Sequence, residues 1–393
     1  MKHRPRLTNS RKSGKGGAGV STLLFWCMKF AYTICLLFWP MSLLSQAVPE
    51  ASRELDSLFS TYFRAGEPGG AVLLVKNNQV LFKKGYGVAD ITTKAPVTPQ
   101  TLFNIGSISK TFVAYGILSL EQVHRLSIED DLLRYFPDFT HPTVVQKVKL
   151  YHLLTHSSGL PDNRKVEEQK TFYLTAKDEE NFAPLKQTDS LLFEPGTQYR
   201  YSNPAFNGLA LVIEKITGHK WQEYIRKNIF LPAGMTHSTI TDGPHPESGV
   251  AHAYVKNKTN GFDELDYGEE PTFAAAGNGG VWSSVEELWK YEQAIQQHRF
   301  LDSATIARSR SVYPLPLWSG AEPSRLGLSW FITSENGEKM IGHTGSQGGF
   351  ISDYCWLPDR KVFYVLLCNT PRPIREIRAR LFSWLAAHQW IDK

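Results

Sequence analysis

Phe103-Asn104-Ile105-Gly106-Ser107-Ile108-Ser109-Lys110-Thr111-Phe112-Val113-Ala114-Tyr115 is the stretch on which the reading of this chain turns. Between Lys94 and Glu121 the only charged residue is Lys110. The apolar run from about Ser107 to Val123 predicts a helix, and side chains three apart on a helix share a face, so Lys110 stands over Ser107. Apolar surroundings disfavour an ammonium ion, and a neutral amine is a base toward a neighbouring hydroxyl. The helix N-terminus adds backbone N–H groups and a field that favours developing negative charge. Ser-x-x-Lys recurs often by chance, so its weight depends on what stands elsewhere.

Two further stretches supply that weight. Glu194-Pro195-Gly196-Thr197-Gln198-Tyr199-Arg200-Tyr201-Ser202-Asn203 ends in Tyr-Ser-Asn after a Pro-Gly turn. A Tyr hydroxyl beside a Lys relays a proton, and an Asn side chain holds a substrate amide and orients the Lys. His343-Thr344-Gly345-Ser346 falls at the end of a predicted strand. A glycine there lets a substrate approach the backbone, and the next N–H points at an oxyanion. Glu194 reads as a turn residue.

In this order and spacing the three motifs resemble the serine β-lactamase and penicillin-binding-protein superfamily, in its class C β-lactamase-like branch with D-alanyl-D-alanine carboxypeptidases, D-aminopeptidases and serine esterases. Leu153–Pro161, Leu231–Thr236 and Gly279–Ser284 look like recurrent stretches of the same branch. The resemblance implies Ser107 as acylated nucleophile and Lys110 as its activator. Tyr201 shares proton transfer, Asn203 positions the substrate, and His343, Thr344 and Gly345 line the site. The backbone N–H groups of Ser107 and Ser346 form the oxyanion hole. No metal or organic cofactor is implied. His343 stands where the β-lactamases carry a Lys, which shifts the expected activity from efficient β-lactamase toward peptidase, amidase or esterase on a small-molecule or peptide carbonyl. The alternatives are a class C-type β-lactamase and a penicillin-binding sensor without turnover. With an ordinary pKa of about 6.5, His343 would draw carboxylate-bearing substrates less from about pH 6 to 8.

The surrounding pattern gives the architecture. Strands are predicted at Ala71–Val75 and Val80–Tyr86, and again at Leu326–Thr333, Lys339–His343, Gly349–Leu357 and Val362–Asn369. Helices are predicted at Ser52–Phe63 and Ile374–Trp390, and residues 125–240 read as helices and loops. The class is α/β (α+β): an antiparallel sheet built from both chain ends, flanked by N- and C-terminal helices, with an inserted helical subdomain and a cleft between the parts. The loops expected to line that cleft and set specificity are 162–190 and 241–272.

The 393 residues carry a formal charge of +5, but seven basic residues precede residue 30 and the first acidic one is Glu50. Without residues 1–47 there remain 36 basic and 38 acidic residues, a net of −2, which argues against nucleic acid. Basic residues, the apolar run Phe30–Leu44 and Ser45-Gln46-Ala47 read as a cleaved secretory signal. The alternative is an anchor over 20–44. Either places residues 48–393 outside the cytosol, periplasmic or extracellular, as one catalytic unit expected to be monomeric and to meet the membrane only through its leader. Gly14–Thr22 mimics a phosphate-binding loop but has Val20 where that loop needs Lys, so nucleotide binding is rejected.

A composition of 42% hydrophobic and 21% charged residues excludes a disordered or fibrous chain. If Leu357 pairs with Val362, Cys355 faces Tyr364 and stands about 13 Å along the strand from Cys368, too far for a disulfide. The residues His124, His141, His152, His156, His219, His237 and His252 follow no ligand spacing and read as packing or surface residues. The acidic run from Asp263 to Glu270 reads as a solvated loop.

Overall fold

Strands buried on both faces need apolar residues at every position, and that is how the central strands read. In the computed structural model, residues 50–391 are described, apart from Glu167, Lys170, Thr171, Tyr173, Leu174, 241–248, 266–275 and Asn336. The leader therefore lies outside the described residues. Two units are distinguished, Met1–Arg53 and Glu54–Lys393, and the sheet and the site belong to the second. Among the described residues no helix is long and apolar enough to cross a membrane.

The strands are β1 (Gly70–Lys76), β2 (Gln79–Tyr86), β3 (Phe103–Asn104), β4 (Thr239–Ile240), β5 (Tyr254–Lys256), β6 (Phe262–Glu264), β7 (Val281–Ser283), β8 (Phe331–Glu335), β9 (Glu338–Gln347), β10 (Phe350–Leu357) and β11 (Val362–Cys368). Six form one antiparallel sheet in the order β2-β1-β11-β10-β9-β8. The chain ends meet at its centre, where Gly70 pairs with Cys368 and Lys76 with Val362. A smaller sheet, β3-β7-β4, lies beside it in the fold order, and β5 pairs with β6.

Alternation along β1 and β11 divides the core. Val72, Leu74, Tyr364 and Leu366 pack with Leu55 and Phe59 of helix α1 (50–60) and with Ile377, Leu381 and Leu385 of the C-terminal helix. Ala71, Leu73, Val365 and Leu367 turn to the opposite layer, where the helices that carry the site are packed. Those longer helices are α2 (Ser109–Gln122), α3 (Asn203–Thr217), α4 (Val285–Gln296) and, closing the chain on the first face, α5 (Ile374–Ala387). Between β3 and β4 the described residues form helices, tight turns and loops.

The terminal helices are shifted or shortened, to 50–60 and Ile374–Ala387, and two strand boundaries differ from expectation. The eighth strand begins at Phe331 rather than Leu326, because Leu326 bridges back to Phe331 in a turn. β9 runs on to Gln347, so His343–Ser346 lies inside a strand and not at its end. Pairing with β10 holds it there, Thr344 opposite Asp353 and Ser346 opposite Ile351. The hairpin register is as expected: Leu357 pairs with Val362 and Cys355 with Tyr364, and both Cys355 and Cys368 are buried free thiols.

Candidate active site

Ser107 sits in a 3-10 turn, Gly106–Ile108, that feeds directly into α2. Gly106 has φ +52, and a Cβ there would come 2.8 Å from the Ser346 nitrogen. Gly345 is equally confined, since a Cβ would stand 2.1 Å from the Ile105 carbonyl and 2.3 Å from Ser352 Oγ. The second glycine therefore admits the candidate nucleophile's own turn, and it also lines the cavity described below. The close approach sets Ser346 of β9 alongside Gly106-Ser107.

One turn into the helix, Lys110 is fully buried. Its Nζ lies 2.9 Å from Ser107 Oγ and donates to the Asn278 carbonyl at 2.6 Å. The rings of Tyr201 and Phe206 face it at 5.1 and 5.8 Å. Burial, and then the Arg164 charge, push the Lys110 pKa well below that of an ordinary lysine. In the neutral form the amine presents a lone pair for a proton from Ser107 Oγ while one of its own N–H groups is held by the Asn278 carbonyl.

Tyr201 and Asn203 straddle the start of α3. Ser202 caps that helix, its Oγ accepting from the Ala205 N–H at 3.2 Å, and Pro204 fits its first turn. Burial pushes the Tyr201 pKa up, and Ser107 lies near enough to oppose this weakly without closing a hydrogen bond. Tyr201 is thus a phenol with its proton in place. The Tyr201 ring stacks on His156 at 4.3 Å. His156 Nδ1 accepts from the Ser202 N–H at 3.1 Å, and burial pushes its pKa well below that of an ordinary imidazole, so the ring is neutral.

His343 departs most from expectation. It is buried, with Phe331 edge-on at 5.2 Å, and its Nδ1–H donates to the Thr344 carbonyl at 2.6 Å. Burial, and then Lys110, lower its pKa to about 3. The expected titration near pH 6.5 does not occur in this environment.

Ser107, Tyr201, Asn203, His343, Thr344, Gly345 and Ser346, all drawn from the sequence, line one cavity of about 840 Å³, with Lys110 buried behind it. Asn203 reaches the cavity but makes no hydrogen bond to Lys110; the acceptor expected of its amide is the Asn278 carbonyl instead. Two contributors escaped the sequence reading. Asn278 acts through its backbone, which leaves no side-chain signature. His156 is the packing residue expected of it, and the ring it packs on is Tyr201. Arg164 also lines the cavity, its guanidinium held by both Asp162 oxygens at 2.8 Å and by Asn181 at 2.6 Å. It comes from the 162–190 loop expected at the cleft; the other expected loop, 241–272, falls partly outside the described residues.

A sequence profile described as Beta-lactamase matches residues 55–388. The chain belongs to the Beta-lactamase family. Within the family, penicillin-binding protein 4* of Bacillus subtilis (strain 168) is 28% identical over 81% of this chain and 71% of its own length. Protein flp of Staphylococcus aureus (strain MRSA252) is 26% identical over 81% of this chain, which spans 63% of that relative. The octameric penicillin-binding protein homologue from Pyrococcus abyssi superposes with a TM-score of 0.72 at 25% identity, over 88% of this chain and 77% of that one. D-amino acid amidase from Ochrobactrum anthropi, complexed with L-phenylalanine amide, gives 0.70 at 20% identity, over 87% and 99%, a likeness of fold. The antiparallel sheet with its flanking helices is the family's β-lactamase/transpeptidase-like fold.

Proposed function

We propose that this Beta-lactamase family member is a serine hydrolase working through an acyl-enzyme on Ser107, with peptidase, amidase or esterase activity of the D-alanyl-D-alanine carboxypeptidase kind rather than efficient β-lactam hydrolysis. The observation that carries the reading is the 2.9 Å contact between Ser107 Oγ and a fully buried, neutral Lys110. Ser107 passes its proton to Lys110 as Oγ attacks the substrate carbonyl carbon. The oxyanion is received by the Ser107 and Ser346 N–H groups, which adjoin across the two glycines. Collapse expels the leaving amine or alkoxide, protonated from Lys110 through the Tyr201 phenol. Water then enters, gives a proton back along the same route, and releases the acid and free Ser107. Asn203 and Thr344 position the acyl donor from either side of the cavity.

The preference against β-lactams rests on charge. His343 is neutral and buried, so it offers no cation to a carboxylate, and Arg164 is already engaged by Asp162. The D-amino acid amidase lends its substrate class, an amide carbonyl. The basic-then-apolar leader supports a catalytic domain working outside the cytosol.

The test is covalent labelling of the protein and of Ser107→Ala with a fluorophosphonate and a fluorescent penicillin, followed by intact mass. A Ser107 adduct that decays, with turnover of p-nitrophenyl esters or a D-alanyl-D-alanine peptide exceeding that of a chromogenic cephalosporin, is the expected result. A penicillin adduct that persists, with no turnover of any substrate, assigns a sensor instead. No adduct at all overturns the catalytic reading.

A further inference from the structure

The Lys110 acceptor, the Asn278 carbonyl, is itself held by a buried carboxylate that the chemistry above does not use. Asp178 opens a short helix, Asp178–Phe182, and is 5% exposed. Its Oδ1 accepts from the Gly277 N–H at 2.8 Å and from Asn207 Nδ2 at 2.7 Å, and its Oδ2 accepts from the Trp221 indole at 2.8 Å. Asn207 Nδ2 also reaches Asn278 Oδ1 at 3.2 Å. Both the backbone before Asn278 and the side chain of Asn278 are thus tied to one carboxylate. The chain of contacts runs Asp178, Gly277-Asn278, Lys110, Ser107.

The donor set makes the carboxylate expensive. All three donors are neutral N–H groups, so a charge stays buried without a cation in contact with it, and burial pushes its pKa up to about 7. An apolar side chain of similar size would hold the three elements together at lower cost. What such a side chain cannot do is fix two N–H vectors and, through them, the direction of the next carbonyl. Gly277 leaves no slack, because a Cβ there would come 2.7 Å from Ala210 Cβ and 2.8 Å from the Phe206 carbonyl.

We propose that Asp178 is a positioning residue: it fixes the Gly277-Asn278 segment so that the Asn278 carbonyl takes one N–H of Lys110 and turns the amine lone pair onto Ser107. The inference rests on the acyl-enzyme reading. The charged and titratable groups around the path are Glu179 and Lys220 near Asp178, and Arg164, His156, His343 and Tyr201 around Lys110.

The full-length protein, Asp178→Asn and Gly277→Ala are compared by kcat and KM on a p-nitrophenyl ester, by the pH profile of Ser107 phosphonylation, and by thermal melting. Asp178→Asn keeps one acceptor oxygen but loses the charge and sets an NH2 against the Trp221 indole. Its kcat falls about 30- to 100-fold with KM within about twofold, as misplacement of a reacting group predicts. The acid limb moves to lower pH, because the Lys110 ammonium form loses its aligned acceptor; Asp178 itself, with a pKa of about 7, is largely neutral on that limb. Gly277→Ala displaces the same backbone without changing charge, so its kcat falls and its acid limb moves about as far. A purely structural Asp178 lowers the melting temperature and leaves kcat and the acid limb at wild-type values, which overturns the inference. Should Asp178→Asn fail to fold, a folded Gly277→Ala with wild-type kcat overturns it equally. Wild-type protein that is never labelled at Ser107 overturns both readings; labelled wild type with an equally fast, unshifted Asp178→Asn overturns this one alone.

Discussion

His343 shows how far environment governs a residue's charge. An exposed imidazole titrates near pH 6.5, but this one has lost its water and faces Lys110, so the folded protein refuses the proton until about pH 3. The ratio of kcat/KM for a carboxylate-bearing ester to that for an uncharged ester is therefore flat from about pH 6 to 8. A ratio that falls severalfold across that interval would show His343 carrying charge in the site. Lys110 obeys the same physics, since burial holds the pKa of a residue that is ordinarily charged well below its usual value, as the proposed role of a base requires. The sequence displayed the cause for Lys110, an apolar run on both sides of it. For His343 the burying ring, Phe331, comes from another strand, and no local pattern announces it.

At the scale of elements, the site is a matter of how closely a turn and a strand approach. Gly345 permits β9 to lie against the Ile105-Gly106 backbone, and although the Ser352 side chain could turn aside, the Ile105 carbonyl cannot. Gly345→Ala is expected to cost about 3 kcal/mol in stability, the upper part of the range for overpacking. It also separates Ser346 from Ser107, so a Ser107 labelling rate that survives the substitution would count against the proposed oxyanion pair. The central strands were legible because unbroken apolar runs, Ala71–Val75 and Val362–Cys368, read as strands buried on both faces, as β1 and β11 are. Asn278 was not legible, because any residue type supplies a carbonyl. Nor was the reach of β9 past His343, which follows from pairing with β10 and not from its own polar sequence, Thr344-Gly345-Ser346.

Across the whole molecule, one buried ion pair ties the helical layer to the sheet. Glu292 of α4 takes both Arg310 amino groups, at 2.8 and 2.7 Å, and also accepts from the Tyr354 hydroxyl of β10. Trp330 closes over the guanidinium at 4.4 Å. Glu292→Gln leaves a guanidinium buried without its counter-charge and is expected to lower stability by about 3–5 kcal/mol, read as a drop in the urea midpoint. An unchanged midpoint would mean that Arg310 finds water in the variant.

The pairing of β1 with β11 has a consequence for biosynthesis. A growing chain exposes Ser107 and Lys110 early, while β9 and the strand that seats it against β1 emerge more than two hundred residues later. Until then the serine has no Ser346 opposite it and its lysine has no dry surroundings. On the proposed mechanism, acylation competence therefore arrives with the last strand, and an unfinished or truncated chain is expected to be inert toward a fluorophosphonate that labels the finished one. Synthesis itself acts as the safety catch.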